Sequence, residues 1–185
     1  MEYNHLRNSL NAGRVRRFHT AVEIPPQSVA EHSFGVALIV EYLHGLARPE
    51  NLDRHAFAGR LMRHAIKHDL SEYFTADMPS PVRKEFDCEE FNDMADHYAR
   101  EKLDYDPPEE GSVVADWIKA ADKLEALRYF CQLVKEGNTV AKTYVVAQHE
   151  HILKERLGAD AETLANEFVR ECHGGDSGHV RVPNL

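Results

Sequence analysis

The chain has 185 residues, 43% of them apolar, with a mean hydropathy of −0.52, which suits one folded domain with a full core rather than a disordered polymer. It carries 22 Lys+Arg against 31 Asp+Glu, a net −9, and no run of about 18 apolar residues, which excludes a membrane-spanning helix and a broad basic surface for non-specific nucleic-acid binding. Cys88, Cys131 and Cys172 are scattered, fitting neither a disulfide framework nor a CxxC zinc site, and the polar opening is unlike a signal peptide, so the reading is a soluble, reduced, cytoplasmic protein.

The first twenty residues hold Arg7, Arg14, Arg16 and Arg17 against Glu2, a net +3 that leaves −12 for the remainder. A small basic cluster on an acidic chain suits one compact anion such as a phosphate. Beyond it the patterning is helical almost throughout, and no alternating strand run stands out. Ser28 is placed to cap a helix over Val29 to Leu46, apolar at Val29, Phe34, Val36, Ala37, Val40, Leu43 and Leu46. Asp53 is placed to cap a second, running through Ala58, Leu61, Ala65 and Ile66 to about Tyr73. Met78-Pro79-Ser80-Pro81 breaks the chain into a loop. A polar amphipathic helix follows from Glu85 to Leu103, closed by Asp104-Tyr105-Asp106-Pro107-Pro108. The clearest helix is Ser112 to Lys135, with Val113, Trp117, Ala121, Leu124 and Phe130 on its apolar side and Gly137-Asn138 as its stop. Helices over about Thr139 to Arg156 and Ala161 to about Glu171 complete an all-α chain, one domain over residues 1–172 with a loose glycine-bearing tail over 173–185.

Twelve histidines are many for this length. Most (His5, His19, His44, His55, His97, His173 and His179) fall in polar or loosely patterned stretches and read as surface. His68-Asp69 is different, because two adjacent ionisable groups deep in an apolar helix are costly unless paired or metal-bound. Glu72, four residues after His68 and three after Asp69, projects to the same side of that helix. Taken alone, the pair reads at least as well as a buried His–Asp hydrogen bond with Glu72 solvated. Asp122 lies in the largely apolar stretch Ile118 to Leu124, where a carboxylate wants a counter-charge, from a divalent ion or from Lys119 or Lys123. His32 opens the first long apolar helix, and two imidazoles with two carboxylates form a mixed nitrogen and oxygen set suited to Mn, Fe, Co or Zn. His64, one turn before His68, reads as structural; His149-Glu150-His151 reads as a solvated face, since residues two apart on a helix point different ways.

His32, His68-Asp69 and Asp122 occur in the order H…HD…D, which resembles the HD-domain phosphohydrolase superfamily. Arg17-Phe18, Val29-Ala30-Glu31-His32-Ser33, His68-Asp69-Leu70-Ser71-Glu72, Asp77-Met78-Pro79-Ser80-Pro81-Val82 and Lys119-Ala120-Ala121-Asp122-Lys123-Leu124 resemble its bacterial 5′-deoxynucleotidase branch, over roughly Asn8 to Arg156. The opening Asn11 to Thr20 and the compact length are more similar to the phage members, which are deoxyadenosine triphosphate triphosphohydrolases.

The resemblance implies a single compact HD-domain helical bundle holding one divalent transition metal (Co, Mn or Zn, with Mg a candidate second ion on the phosphates) through His32, His68, Asp69 and Asp122. It implies that Glu72 orients or deprotonates the attacking water and that Asp77 supports the leaving oxygen or the water. Arg17 would clamp a phosphate oxygen, and Arg83 or Lys84 the outer phosphates. Phe18 falls where the family carries an aromatic, usually Trp, that crowds the sugar 2′ position; Val22 and Pro79 are candidates for base contact. A small-molecule deoxynucleotide substrate, no nucleic acid, no membrane and a homo-oligomer (dimer or hexamer) are expected, in the cytoplasm, or the host cytoplasm for a phage-encoded chain.

The expected reaction is attack of water on the α-phosphorus with departure of the nucleoside 5′-oxygen. Conversion of deoxyadenosine triphosphate to deoxyadenosine and triphosphate comes first, on the phage-like opening and the surplus cations Arg14, Arg16, Arg83 and Lys84. The alternative is a deoxyribonucleoside 5′-monophosphatase. From another class comes a non-catalytic nucleotide- or protein-binding helical module with a structural metal, against which Glu72 and Asp77 argue, since a structural site needs no spare carboxylate.

Overall fold

The computed structural model describes residues 3–47, 54–76, 89–155 and 157–174. The chain divides into two units, Met1–Ala121 and Asp122–Leu185. The Asp53 cap, the Met78–Pro81 loop, the helix start at Glu85, Cys88, His179 and the tail after Gly174 lie outside the described residues.

In the first unit, α1 (Tyr3–Ala12) leads into a two-residue antiparallel ladder of β1 (Arg16–Arg17) and β2 (Gln27–Ser28), with Arg16 opposite Ser28 and Arg17 opposite Gln27. A ladder this short leaves no room for alternation, so the sequence pattern does not announce it. It is lengthened by the Val29 N–H donating to the Val15 carbonyl (2.9 Å) and the Ala30 N–H to the Gly13 carbonyl (3.1 Å). Gly13 suits that close approach, since a Cβ there would stand 3.1 Å from the Ala30 Cβ.

The second strand feeds directly into α2 (Val29–Ala47) through a capping box. Ser28 Oγ accepts from the Glu31 N–H (3.2 Å), while the Glu31 carboxylate accepts from the Ser28 hydroxyl (2.5 Å) and N–H (2.8 Å). Those bonds, the hydroxyl's above all, hold the Glu31 carboxyl below its ordinary value. They also fix the first turn, and with it His32, which is fully buried. Val36, Val40 and Leu43 face inward, whereas Phe34 and Leu46, expected on the same side, are exposed. The next helix, α3 (Arg54–Lys67), packs on α2 and buries Leu61 and Ala65, but not Ile66. His44 is not a surface residue: it is buried against Phe57 and Trp117, whose rings meet edge to face at 6.2 Å.

The helix expected to run on to Tyr73 ends at Lys67. His68 to Ser71 form a turn, with the Leu70 N–H on the Lys67 carbonyl (3.1 Å) and the Glu72 N–H on the Asp69 carbonyl (3.1 Å), before the one-turn α4 (Glu72–Thr75). The apolar periodicity does continue through Leu70 and Phe74, but it serves a different contact. Leu70 is buried with Ala12, Val29, Ala99, Leu103 and Tyr105, and Phe74 packs against that cluster. Ala99 and Leu103 belong to α5 (Glu89–Leu103), which lies against α1 and α4. Then comes α6 (Val113–Lys135), capped by Ser112 Oγ accepting from the Ala115 N–H (3.2 Å). Val113, read as part of its apolar side, is exposed, because it precedes the first buried turn.

The second unit holds the later part of α6 with α7 (Ala141–Glu155) and α8 (Ala159–Cys172), the last two packed together around Val145, Ile152, Ala161 and Ala165. Cys131 and Cys172 are buried free thiols that hydrogen-bond each other, and burial pushes the Cys131 thiol up to about 12, which makes it a packing residue rather than a nucleophile. His151 departs from the solvated face expected of it: its Nε2 lies 2.8 Å from Lys123 Nζ and 3.0 Å from Glu155 Oε1, in a half-buried charge cluster. No described helix is long and apolar enough to cross a membrane.

Candidate metal centre

The ladder and capping box set His32 at the start of α2, and the turn after α3 supplies His68 and Asp69. His32 Nε2 stands 3.2 Å from His68 Nε2, and Asp69 Oδ2 lies 3.5 Å from the first and 3.4 Å from the second. Donor atoms bound to one ion at about 2.0–2.2 Å stand about 3–3.5 Å from one another. The near-equilateral triangle therefore fits a single divalent cation. The other nitrogen of His68, Nδ1, donates to the Ala65 carbonyl (2.9 Å), which leaves the lone pair of the neutral ring on Nε2, facing the triangle. His32, His68, Asp69 and Asp122 each offer one ligand atom to a group that could hold a metal ion, these atoms lying within 4.8 Å of one another.

Burial alone would raise the Asp69 carboxyl, but the neighbouring His68, then Arg17 and His32, outweigh it and hold the group far below the usual carboxylate range. Asp69 is thus favoured as the anion, the form in which a carboxylate can take a metal ion. Arg17, the last residue of β1, places Nε 3.8 Å from Asp69 Oδ2 with its side chain largely buried. Its guanidinium also lies over the Phe18 ring, 5.4 Å from the centroid, and Phe18 itself sits at φ 61. An arginine so placed can take a phosphate oxygen beside the ligand set.

Glu72 does not share a helix face with His68 and Asp69, as the sequence suggested. It opens α4 and is drawn to the ligand turn by its own N–H on the Asp69 carbonyl. His64 stays outside the ligand group: its Nδ1 lies 3.1 Å from the Tyr105 hydroxyl, and burial, then Arg60 and Arg63, hold the imidazole below its ordinary value. Val22 stands 94% exposed in the loop between β1 and β2. Arg16 faces Glu31 (3.9 Å) and Arg14 is exposed. Asp77, Pro79, Arg83 and Lys84 lie outside the described residues. Two residues beside the centre escaped sequence reasoning, Lys67 and Tyr105, both buried; no pattern marks a lysine at a helix end for burial.

Residues 8–110 match the family model described as 5′-deoxynucleotidase YfbR-like, more than half of the chain. The chain belongs to the YfbR-like 5′-deoxynucleotidase family. It is therefore an enzyme, a metal-dependent phosphohydrolase of the HD superfamily. The YfbR-like segment contains Arg17, Phe18, His32, His68, Asp69 and Glu72, and ends before Asp122. Among solved structures, the PH0347 protein from Pyrococcus horikoshii OT3 is similar with a TM-score of 0.70 at 22% identity, over 91% of this chain and 99% of that one, a likeness of fold. No curated protein matches the chain.

Proposed function

We propose that the chain is a deoxyribonucleoside 5′-monophosphatase. The observation that carries the reading is the meeting of Arg17 with the His32–His68–Asp69 triangle inside the YfbR-like segment: an anion clamp beside a divalent-cation set. When bound, a Mn, Co or Zn ion would supply Lewis acidity to the phosphate and to a water. Arg17 holds a non-bridging phosphate oxygen, Glu72 takes the proton of the attacking water, and Asp77 supports the leaving 5′-oxygen. Water oxygen bonds to phosphorus, the bond from phosphorus to the 5′-oxygen breaks, and that oxygen takes up the proton Glu72 removed from the water, giving phosphate and a deoxynucleoside.

The sequence put deoxyadenosine triphosphate first; the family match supports the 5′-deoxynucleotidase reading better. Of the cations that three phosphates would use, Arg16 faces Glu31 and Arg14 points to solvent, while Arg83 and Lys84 lie outside the described residues. Phosphorus NMR of products from deoxyAMP and deoxyATP, with Mn, Co or Zn, tests the reading. Phosphate from deoxyAMP with deoxyATP untouched is expected; inorganic triphosphate from deoxyATP overturns it in favour of the triphosphohydrolase.

The partner in assembly is a second copy of the chain. Phe34 (66% exposed), Leu38 (48%), Tyr42 (51%) and Leu46 (47%) recur every fourth residue along α2, a ridge whose spacing lets two copies interdigitate about a twofold axis. A helix apolar on both sides is ordinarily covered on both.

A further inference from the structure

The turn that carries His68 and Asp69 is anchored on both flanks to one place, the C-terminal end of α5. On one flank Lys67, the last residue of α3, is buried, and its ammonium donates to the carbonyls of Leu103 (3.1 Å) and Asp104 (3.0 Å). On the other, Leu70 is buried in the cluster that contains Leu103 and Tyr105. His68 and Asp69 are the two residues between these anchors.

The polar anchor is well matched. A helix end leaves its last carbonyls without intrahelical partners, and a buried ammonium is costly unless it finds acceptors, so each satisfies the other. Asp104, at φ 50, ends α5 in the left-handed conformation, and the Tyr105 ring lies beside the ammonium, 5.9 Å from Nζ to its centroid. Arg63 adds a bond to the Asp104 carbonyl (3.3 Å), and His64 one to the Tyr105 hydroxyl (3.1 Å), so α3 grips the α5 end over its last turn. A shift of the Lys67 anchor would be passed to the adjacent ligands before any slack could absorb it, because the Leu70 N–H closes the turn on the Lys67 carbonyl itself.

We propose that Lys67 is a positioning residue for the metal ligands, acting through the α5 end to hold the His68–Asp69 turn in the geometry of the donor triangle. This rests on the metal-centre reading and deepens it. Lys67→Met keeps the aliphatic stem and removes the donors, and Lys67→Arg restores donors. The metal-free wild type and both variants are titrated with Co2+ by calorimetry, and the visible absorption of each Co2+-loaded protein is recorded. Lys67→Met is expected to bind Co2+ about tenfold more weakly, with altered ligand-field bands, and Lys67→Arg to recover most of the affinity. Wild-type affinity and spectrum in Lys67→Met overturn the proposal whatever happens to its melting temperature, because a lysine that only supports the fold moves melting alone. Should Lys67→Met fail to fold by circular dichroism, Lys67→Gln, with one neutral donor, is judged by the same two readouts. Absence of Co2+ binding in the wild type, or undiminished binding in His68→Ala, locates the failure in the metal-centre reading and removes the proposal with it.

Discussion

Replacing His68 by alanine separates what the ring does for the fold from what it does for the metal. In the metal-free protein the substitution removes the bond to the Ala65 carbonyl and the ring's contact with His32. One hydrogen bond contributes about 1 kcal/mol, which for a chain of this size lowers Tm by about 2–4 °C. The metal term is larger. A ligand present at 100 times its Kd that binds only the folded state adds about 2.7 kcal/mol, so Mn2+, Co2+ or Zn2+ should raise the wild-type Tm by about 5–11 °C. His68→Ala leaves one nitrogen and one oxygen of the triangle, 3.5 Å apart, plus Asp122, and should retain under about 2 °C of that rise at the same metal concentration. Differential scanning fluorimetry of chelator-stripped protein, with and without metal, reads the difference directly. His97→Ala, at an exposed position on α5, should keep the full rise. A stripped wild type that none of the three ions stabilises, or a His68→Ala protein that keeps the full rise, would refute the metal centre.

Glu72→Gln should lower kcat by about 10²–10⁴ while keeping the metal-induced rise in Tm; steady-state phosphate release checks this, and an unchanged kcat removes Glu72 from proton transfer. Ser28→Ala should cost about 1 kcal/mol in urea unfolding at pH 7 by undoing the cap of α2. The sign of its pH dependence follows from Glu31: its folded value lies below the 4.5 of the unfolded chain, so its contribution is present above that pH and is lost as pH falls through the lower folded value. The gap between wild type and Ser28→Ala should therefore narrow in acid, and a gap that widens there contradicts the capping box. Leu38→Glu, in the middle of the exposed α2 ridge, should halve the mass found by sedimentation equilibrium without changing the helical circular dichroism; an unchanged mass counts against the second copy.

Much of this was legible in residue order because amphipathic helices and a four-residue ligand set each leave a local mark. Ser28 caps α2 and α6 starts beside Ser112, as the side-chain pattern said, and the four residues of the expected set form a group that could hold a metal ion. The ends of elements were harder. Nothing in Ile66 to Tyr73 signals that the helix stops, because the signal lies elsewhere: Leu70 has a partner in Leu103 and Lys67 in the α5 carbonyls, contacts between segments about 35 residues apart. The β1–β2 ladder is invisible for the opposite reason, having two residues per strand and hence no period. The burial of His44 depends on Phe57 and Trp117 arriving from two other helices, which the pattern of its own helix cannot foretell. Local pattern reports a residue's own helix well and its neighbours across the fold poorly.

Phe18 joins a left-handed backbone conformation to a place against the Arg17 guanidinium. A bulky side chain at φ 61 costs the backbone about 1–2 kcal/mol, a cost that glycine escapes and asparagine largely escapes. A screen for heat resistance would find Phe18→Gly or Phe18→Asn among its first gains. Each such gain would strip the ring from beneath the Arg17 guanidinium and unsettle the cation beside Asp69. Selection for durability and selection for turnover should therefore pull this one codon in opposite directions.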